Sequence, residues 1–434
     1  MHWPTRRALT AALVGAACTA LPATSAMAQP STAAKADVIT TPVQVVDAAH
    51  PLPAVGSRWD ARAQNRTAQW RDSVPQPPAT LHEHGDATAQ RMGITYTSTA
   101  TARDASALAA GADLATCRRL LPTSGERILN HYAYCRVTPI GYSVVSGGKV
   151  VGTVSWRNTT AGDGTKGSRV IRLVTGMDQF RRVGETTDGL LSIGWSTSGY
   201  RGPDGSNKAC DVFGSGPNLL SEWQAGGTAI HTISSAANDG YSRDKVARCA
   251  IRSTVTNNGG TGTVLDNGVR FDSATYLGAK GAGIFDRVMP TMGEYSVRST
   301  RNGAVARHIQ LAQTNPAATY PPAPAGHTKS IPGGVASGRP LHRLVSNWDA
   351  AATTAYNKNR SKVQSTCAHL PHKAGEECDE YPFASSWEGA GKDDGNFSVK
   401  YVDGTQNGNA GTDLNNWYVA DRILHRDAFY VVIH

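Results

Sequence analysis

Near the C-terminal end of the chain, a group of acidic and amide side chains has the types and spacing to do chemistry. Asp379 and Glu380 stand side by side in the stretch CDEYPFASSWEGAG, and Glu388 follows after an aromatic-proline turn. Asn407 lies in the polar stretch DGTQNGNAG. Asp413 and Asn416 come next in TDLNNWYVAD, three positions apart, a spacing that places both on one face of a helix. Adjacent carboxylates are usually plain solvated surface. Here every candidate donor is an oxygen, a set that suits Mg²⁺ or Mn²⁺, with Ca²⁺ as the alternative, rather than zinc. No C-x-x-C or H-x-x-x-H spacing supports a zinc site.

These residues need elements to position them. SNWDAAATTAYNKNRSKV predicts a helix with Trp348, Ala352, Tyr356 and Arg360 on one face. NFSVKYV alternates as a strand, with Phe397, Val399 and Tyr401 on one side. DGTQNGNAG reads as a loop, TDLNNWYVAD as a short helix capped by Thr412, and AFYVVI as a closing buried strand. Carboxylates, strand, Asn loop and helix is the order of parts in one-metal nucleases of the ββα-metal type. In these, one group activates water and the metal neutralises charge on the scissile phosphate.

The ordered series CDEYPFASSWEGAG, SVKYV and QNGNAG resembles the deoxyribonuclease NucA/NucB family of secreted bacterial DNases. That family is marked by an Asp-Glu-aromatic-Pro motif, a following Glu-Gly, a strand and an Asn-x-x-Ala-Gly loop. The resemblance covers about 357–433 and implies metal-dependent hydrolysis of DNA by a small ββα-metal-like fold. It implies Asp379 as general base with Glu380 beside it, Glu388 in the acidic position before Gly389, and Asn407 in the Asn-loop position. Glu380 would share the metal with a ligand from the helix. Trp387 stands where bacillary members tend to be acidic, and TDLNNWY departs from their helix, so that ligand stays open between Asp413 and Asn416. His425 and His434 are late and isolated, and a surface or structural role is expected for each.

Further upstream, MHWPTRRALTAALVGAACTALPATSAMAQP has Arg6 and Arg7, an apolar run from Ala8 to Leu21 and an Ala26-Met27-Ala28 cleavage pattern. The run is too short for a bilayer, which needs roughly 20 residues. Residues 1–28 are therefore expected to be a cleavable signal peptide, by the general or the twin-arginine route, on a secreted, extracellular protein without a membrane span. Cys18 would leave with the signal. Sequence neighbours suggest disulfides Cys117–Cys135, Cys210–Cys249 and Cys367–Cys378. Residues 29–92 read as a flexible or propeptide-like segment, in which His82 and His84 belong to an exposed loop.

Residues 93–313 carry β-type runs such as KVVGTVSWRN and SRVIRLVTGM. Turn signals accompany them at Asp163-Gly164, Asp204-Gly205, Asn258-Gly259 and Asn267-Gly268. The predicted architecture is multidomain: a β-rich sandwich-like domain, a Pro/Gly-rich linker over 314–340, and a small α+β domain over 341–434.

The chain carries a formal charge of +9. From Lys329 onward 11 Lys/Arg face 12 Asp/Glu, leaving −1 there and about +8 over 29–328. A basic body beside an acidic site suits a polyanionic substrate such as DNA, and no obligate protein partner is called for. It also predicts that a piece from Lys329 acts as a catalyst alone. A glycosidase needs two carboxylates about 5–9.5 Å apart across the bond, which neighbours in sequence seldom provide. The other alternative is a non-catalytic cell-wall or carbohydrate-binding protein with a Ca²⁺-stabilised C-terminal domain. Cleavage of DNA against polysaccharide separates the three.

Overall fold

Alternation in KVVGTVSWRN becomes a long strand whose inward face is Val150, Gly152, Val154 and Trp156. The computed structural model describes residues 38–60, 94–97, 113–199 and 210–434. The expected signal peptide, His82, His84 and most of 29–92 lie outside the described residues.

The β-rich part comprises β1 (Val38–Thr40), β2 (Gln44–Val45), β3 (Ile94–Thr97), α1 (Leu114–Leu120), β4 (Gly125–Leu129), β5 (Ala133–Ser146), β6 (Lys149–Lys166) and β7 (Val170–Gly184). It continues with β8 (Leu191–Gly199), β9 (Asp211–Ser215), α2 (Leu220–Gln224), β10 (Thr228–Ser234), β11 (Ala247–Asn257), β12 (Gly260–Asp272) and β13 (Ala282–Ile284). The strands join in the order β3-β4-β5-β6-β13-β12-β11-β8, and β7, β10 and β9 run on from β6. The sheet folds over on itself and nearly closes. Tyr134, Ile171, Leu173 and Ile233 pack from one side against Ile251, Val269 and Phe271 from the other.

Of the expected turns, Asn258-Gly259 joins β11 to β12, whereas Asp163-Gly164 and Asn267-Gly268 lie inside β6 and β12. Asp204-Gly205 lies outside the described residues. The reason at Gly164 is close packing. A Cβ there would come within 2.6 Å of the Gly283 carbonyl, so the glycine admits β13 rather than turning the chain. The three disulfides join the neighbouring cysteines, Cys117–Cys135, Cys210–Cys249 and Cys367–Cys378.

The C-terminal part contains β14 (Thr291–Tyr295), α3 (Gly303–Thr314), β15 (Leu341–His342), α4 (Ala350–Cys367), β16 (Glu376–Tyr381), β17 (Ser398–Asp403), α5 (Gly404–Ala420) and β18 (Ala428–Ile433). β18 lies between parallel β14 and antiparallel β15, and β16 pairs with β17 as a separate hairpin. One core gathers Met292, Tyr295, Val305 and Ile309 with Leu414, Trp417 and Phe429. The segment 291–314, which the sequence pattern groups with the β-rich region, thus belongs to the C-terminal core.

The stretch 314–340 is packed rather than a free linker. Ile331 is 3% exposed, Val431 N donates to Gly333 O at 2.8 Å, and Val399 N donates to Tyr320 O at 2.7 Å. A piece starting at Lys329 would leave nine of that core's 22 buried residues behind, which weighs against the expected independent C-terminal catalyst. Buried ion pairs join the two parts: Arg270 to Asp427 at 2.7 Å, and Arg422 to Asp272 at 2.7 Å. Removing one partner of such a pair strands a buried charge, at a cost of about 3–5 kcal/mol. Among the described residues no helix is long and apolar enough to cross a membrane.

Candidate active site

Two anchors fix the strand that carries the acidic pair. Asp349 caps α4, accepting from Ala352 N at 2.7 Å, and the far end of α4 is tied by Cys367–Cys378 to the residue before Asp379. In the hairpin, Asp379 stands opposite Lys400 and Glu380 opposite Val399.

Asp379 is 6% exposed, and its Oδ2 lies 2.6 Å from His308 Nδ1 on α3. The other ring nitrogen of His308 is 2.7 Å from Ser398 Oγ on β17. The imidazole is thus held at both ends, and among the described residues no protein group bonds Asp379 Oδ1. Glu380 accepts from Ala384 N at 3.3 Å and faces Arg360 Nη1 at 3.6 Å. Burial, reinforced by the neighbouring Asp379 charge, pushes its carboxyl up to about 7 against the opposing pull of Arg360 and Ala384 N–H.

Both carboxylates open into a cleft of about 420 Å³ that also receives Arg343, Arg360, Asn407 and Asn415. α5 forms one wall. It begins at Gly404, so DGTQNGNAG is helix rather than loop, and Thr412 sits inside it rather than capping it. The cap is Asp403, which accepts from Gln406 N at 2.9 Å, while Thr412 Oγ1 donates to Gly408 O at 2.9 Å. Asn407, Ala410, Gly411, Leu414, Asn415 and Tyr418 recur at helical spacing along the cleft face. Asn407 Nδ2 donates to Glu377 Oε2 at 3.1 Å.

Asp413 does share a helix face with Asn416, but that face turns away from the acidic pair. Asp413 is held by Arg301 at 2.8 Å and by Asn302 Nδ2 at 3.0 Å, and Asn416 is solvent-exposed. Neither lines the cleft; Asn415 does.

Glu388 also stays outside the cleft. Its oxygens bind His342 N at 2.7 Å and His342 Nδ1 at 2.8 Å, clamping the strand that delivers Arg343. The glycines after it serve α4. Asn359 donates to the carbonyls of Ala384 and Ser386, each at 3.0 Å, and accepts from Gly391 N at 2.8 Å. A Cβ on Gly389 would lie 2.4 Å from the Asn359 amide. The motif Glu388-Gly389-Ala390-Gly391 is therefore a docking turn.

His425 has the structural role expected of it. It stacks on Trp348 at 4.6 Å and accepts from Val345 N at 3.2 Å, and burial drives its imidazole down to about 4. His308, Arg343 and Asn415 escape a reading of the sequence alone. For His308 a signal exists: it shares a helical face with Val305, Ile309 and Ala312, all buried. A histidine on an apolar face needs partners, and these are Asp379 and Ser398.

Among the described residues no three His, Cys, Asp or Glu side chains converge as a ready-made metal cage. The cleft instead offers two adjoining carboxylates and the amides of Asn407 and Asn415. An all-oxygen partial set fits a hard cation that keeps several waters, as Mg²⁺ does.

The fold and cleft together describe a β-rich protein with a nuclease-like C-terminal part. Residues 336–432 match the family model of deoxyribonuclease NucA/NucB. The match starts after α3, so His308, Arg301 and Asn302 lie outside it. No curated protein and no solved structure matches the chain.

Proposed function

We propose that this protein is a secreted endonuclease that hydrolyses phosphodiester bonds of extracellular DNA with the help of a divalent cation, Mg²⁺ or Mn²⁺. The observation that carries the reading is the pair Asp379–Glu380, set in a cleft that Arg343 and Arg360 also line, within a region matching a deoxyribonuclease family. The order β16, β17, α5 around it supports reading the site as one of the ββα-metal type.

Asp379 acts as general base. His308 holds its Oδ2, which leaves Oδ1 to take a proton from the attacking water. Glu380, with the Asn407 amide oxygen, would hold the cation. When bound, the cation supplies charge neutralisation at the phosphate and a more acidic water. Arg360 and Arg343 lie on the same cleft and balance the phosphate's charge from the protein side. Glu388 and Asp413 keep the strand of Arg343 and the helix of Asn407 in place, and Asn416 takes no part.

Three disulfides suit an oxidising, extracellular setting. A glycosidase reading has less support, because Glu388, the candidate second carboxylate, is spent on His342. Incubation of supercoiled plasmid with the purified protein, with EDTA and with Mn²⁺ added back, tests the function. Nicking that stops with EDTA and returns with Mn²⁺ is expected; an inert protein would favour the Ca²⁺-stabilised binding protein.

A further inference from the structure

A run of rings and guanidinium groups leads from the cleft to the surface. Arg343, on the cleft wall, lies over the rings of Tyr418 at 4.2 Å and Tyr276 at 5.5 Å. Tyr276 meets Trp348 edge-on at 6.0 Å, and Trp348 stacks on His425 with only 7° between the planes. Trp387 closes the run, lying at 73° to the His425 ring with the centroids 5.8 Å apart.

An arginine sits at each outer end. Arg243, from the segment between β10 and β11, lies over Trp348 at 5.3 Å and donates to the carbonyl of Trp348 at 2.9 Å. Arg426 lies over Trp387 at 4.2 Å, and its backbone N donates to the carbonyl of Arg343 at 2.8 Å. Both arginines are exposed. Among the described residues neither pairs with a carboxylate, and the nearby Asp349 is engaged in capping α4. Stacking on a ring holds a guanidinium plane in place, so less side-chain freedom is given up when it binds. Two fixed, unpaired guanidiniums next to a cleft for phosphodiesters can each take a backbone phosphate.

We propose that Arg243 and Arg426, braced on the Trp348–His425–Trp387 stack, form a second phosphate-binding subsite that grips the DNA backbone beyond the cleft. The inference rests on the deoxyribonuclease reading and adds a role for the β-rich part, which supplies Arg243. It also separates the two kinds of substrate contact. The cleft handles the scissile phosphate; the outer arginines require a polymer long enough to reach them.

The test uses the full-length mature protein, wild type and Arg243→Gln/Arg426→Gln. A fluorescein-labelled 20-base-pair duplex is titrated in EDTA over a range of NaCl concentrations. Steady-state kinetics are then followed in Mn²⁺ on plasmid and on bis(p-nitrophenyl) phosphate, a phosphodiester too small to span both subsites. Removing one arginine–phosphate pair lowers the log–log salt slope by about 0.9. The slope of the double variant should therefore be shallower by about 2, and its duplex binding roughly tenfold or more weaker. Its KM on plasmid should rise, with kcat and the rate on the small diester unchanged. A charge-retaining Arg243→Lys/Arg426→Lys protein should keep most of the slope. Equal duplex affinity and slope for the Gln variant and a wild type that cuts DNA would overturn the subsite and leave the nuclease reading intact. A wild type that neither binds nor cuts DNA would overturn both.

Discussion

His308 Nδ1 lies 2.6 Å from Asp379 Oδ2 across 71 residues of chain, and the contact ties α3 to the strand of the acidic pair. The same ring reaches Ser398 on the partner strand at 2.7 Å, so one imidazole sets the position of the proposed base against the hairpin that carries it. An oriented carboxylate is a better base than a free one, because the ordering is done before substrate arrives. His308→Gln should lower kcat on plasmid about 10–100-fold, the range typical when supporting partners at metal sites are removed. Duplex affinity in EDTA should stay near wild type. A kcat equal to wild type would show that the contact is only structural.

Glu380 predicts a pH-dependent stability in the absence of metal. Its folded-state carboxyl titrates near 7, above its ordinary 4.5, so the folded protein holds that proton more tightly than the unfolded chain does. The sign follows: between about pH 4.5 and 7 stability falls as pH rises, by up to roughly 3 kcal/mol from this group. Glu380→Gln should be close to wild type at pH 4.5 and increasingly more stable toward pH 7.5 in urea titrations with EDTA. A constant gap between the two proteins across that range would contradict the assignment.

Asn359 holds the docking turn through three hydrogen bonds while only 3% exposed. Asn359→Leu leaves the Ala384 carbonyl and Gly391 N without a partner, while the Ser386 carbonyl keeps Gly389 N at 3.3 Å. Each buried unsatisfied group costs about 1–3 kcal/mol, so a destabilisation of at least about 2 kcal/mol is expected in chemical denaturation. A change below about 0.5 kcal/mol would mean that the turn is held by other contacts.

A fragment from Lys329 should fail to fold cooperatively. It lacks Met292, Tyr295, Val305 and Ile309, which are at most 1% exposed in the core with Trp417 and Phe429. It also lacks Asp272 and Arg270, the partners of Arg422 and Asp427. A sharp thermal transition in the isolated fragment would refute this reading of the core.

Local features are readable from the sequence. The helix that carries Tyr356 and Arg360, the three disulfides and the β17 strand all follow from short-range periodicity and spacing. What escapes is long-range. Gly- and Asn-rich composition argues for a loop before Thr412, yet buried Ala410, Leu414 and Trp417 make the stretch helical from Gly404 through tertiary packing. The same distance effect hides β14, whose partner β18 lies more than a hundred residues away, and α3, whose His308 reaches Asp379 and Ser398 across 71 and 90 residues. Asp413 shows the limit of spacing arguments. Its position relative to Asn416 is legible, but which way their shared face turns depends on Arg301.

If Asp379 is the base of a metal-dependent nuclease, plasmid nicking in Mn²⁺ should collapse in Asp379→Asn. The substitution keeps the side-chain shape and removes the base. A fall of about 10²–10⁴-fold in the nicking rate is expected, with a circular dichroism spectrum and duplex affinity like those of the wild type. Nicking by the variant at the wild-type rate would show that Asp379 is not the base.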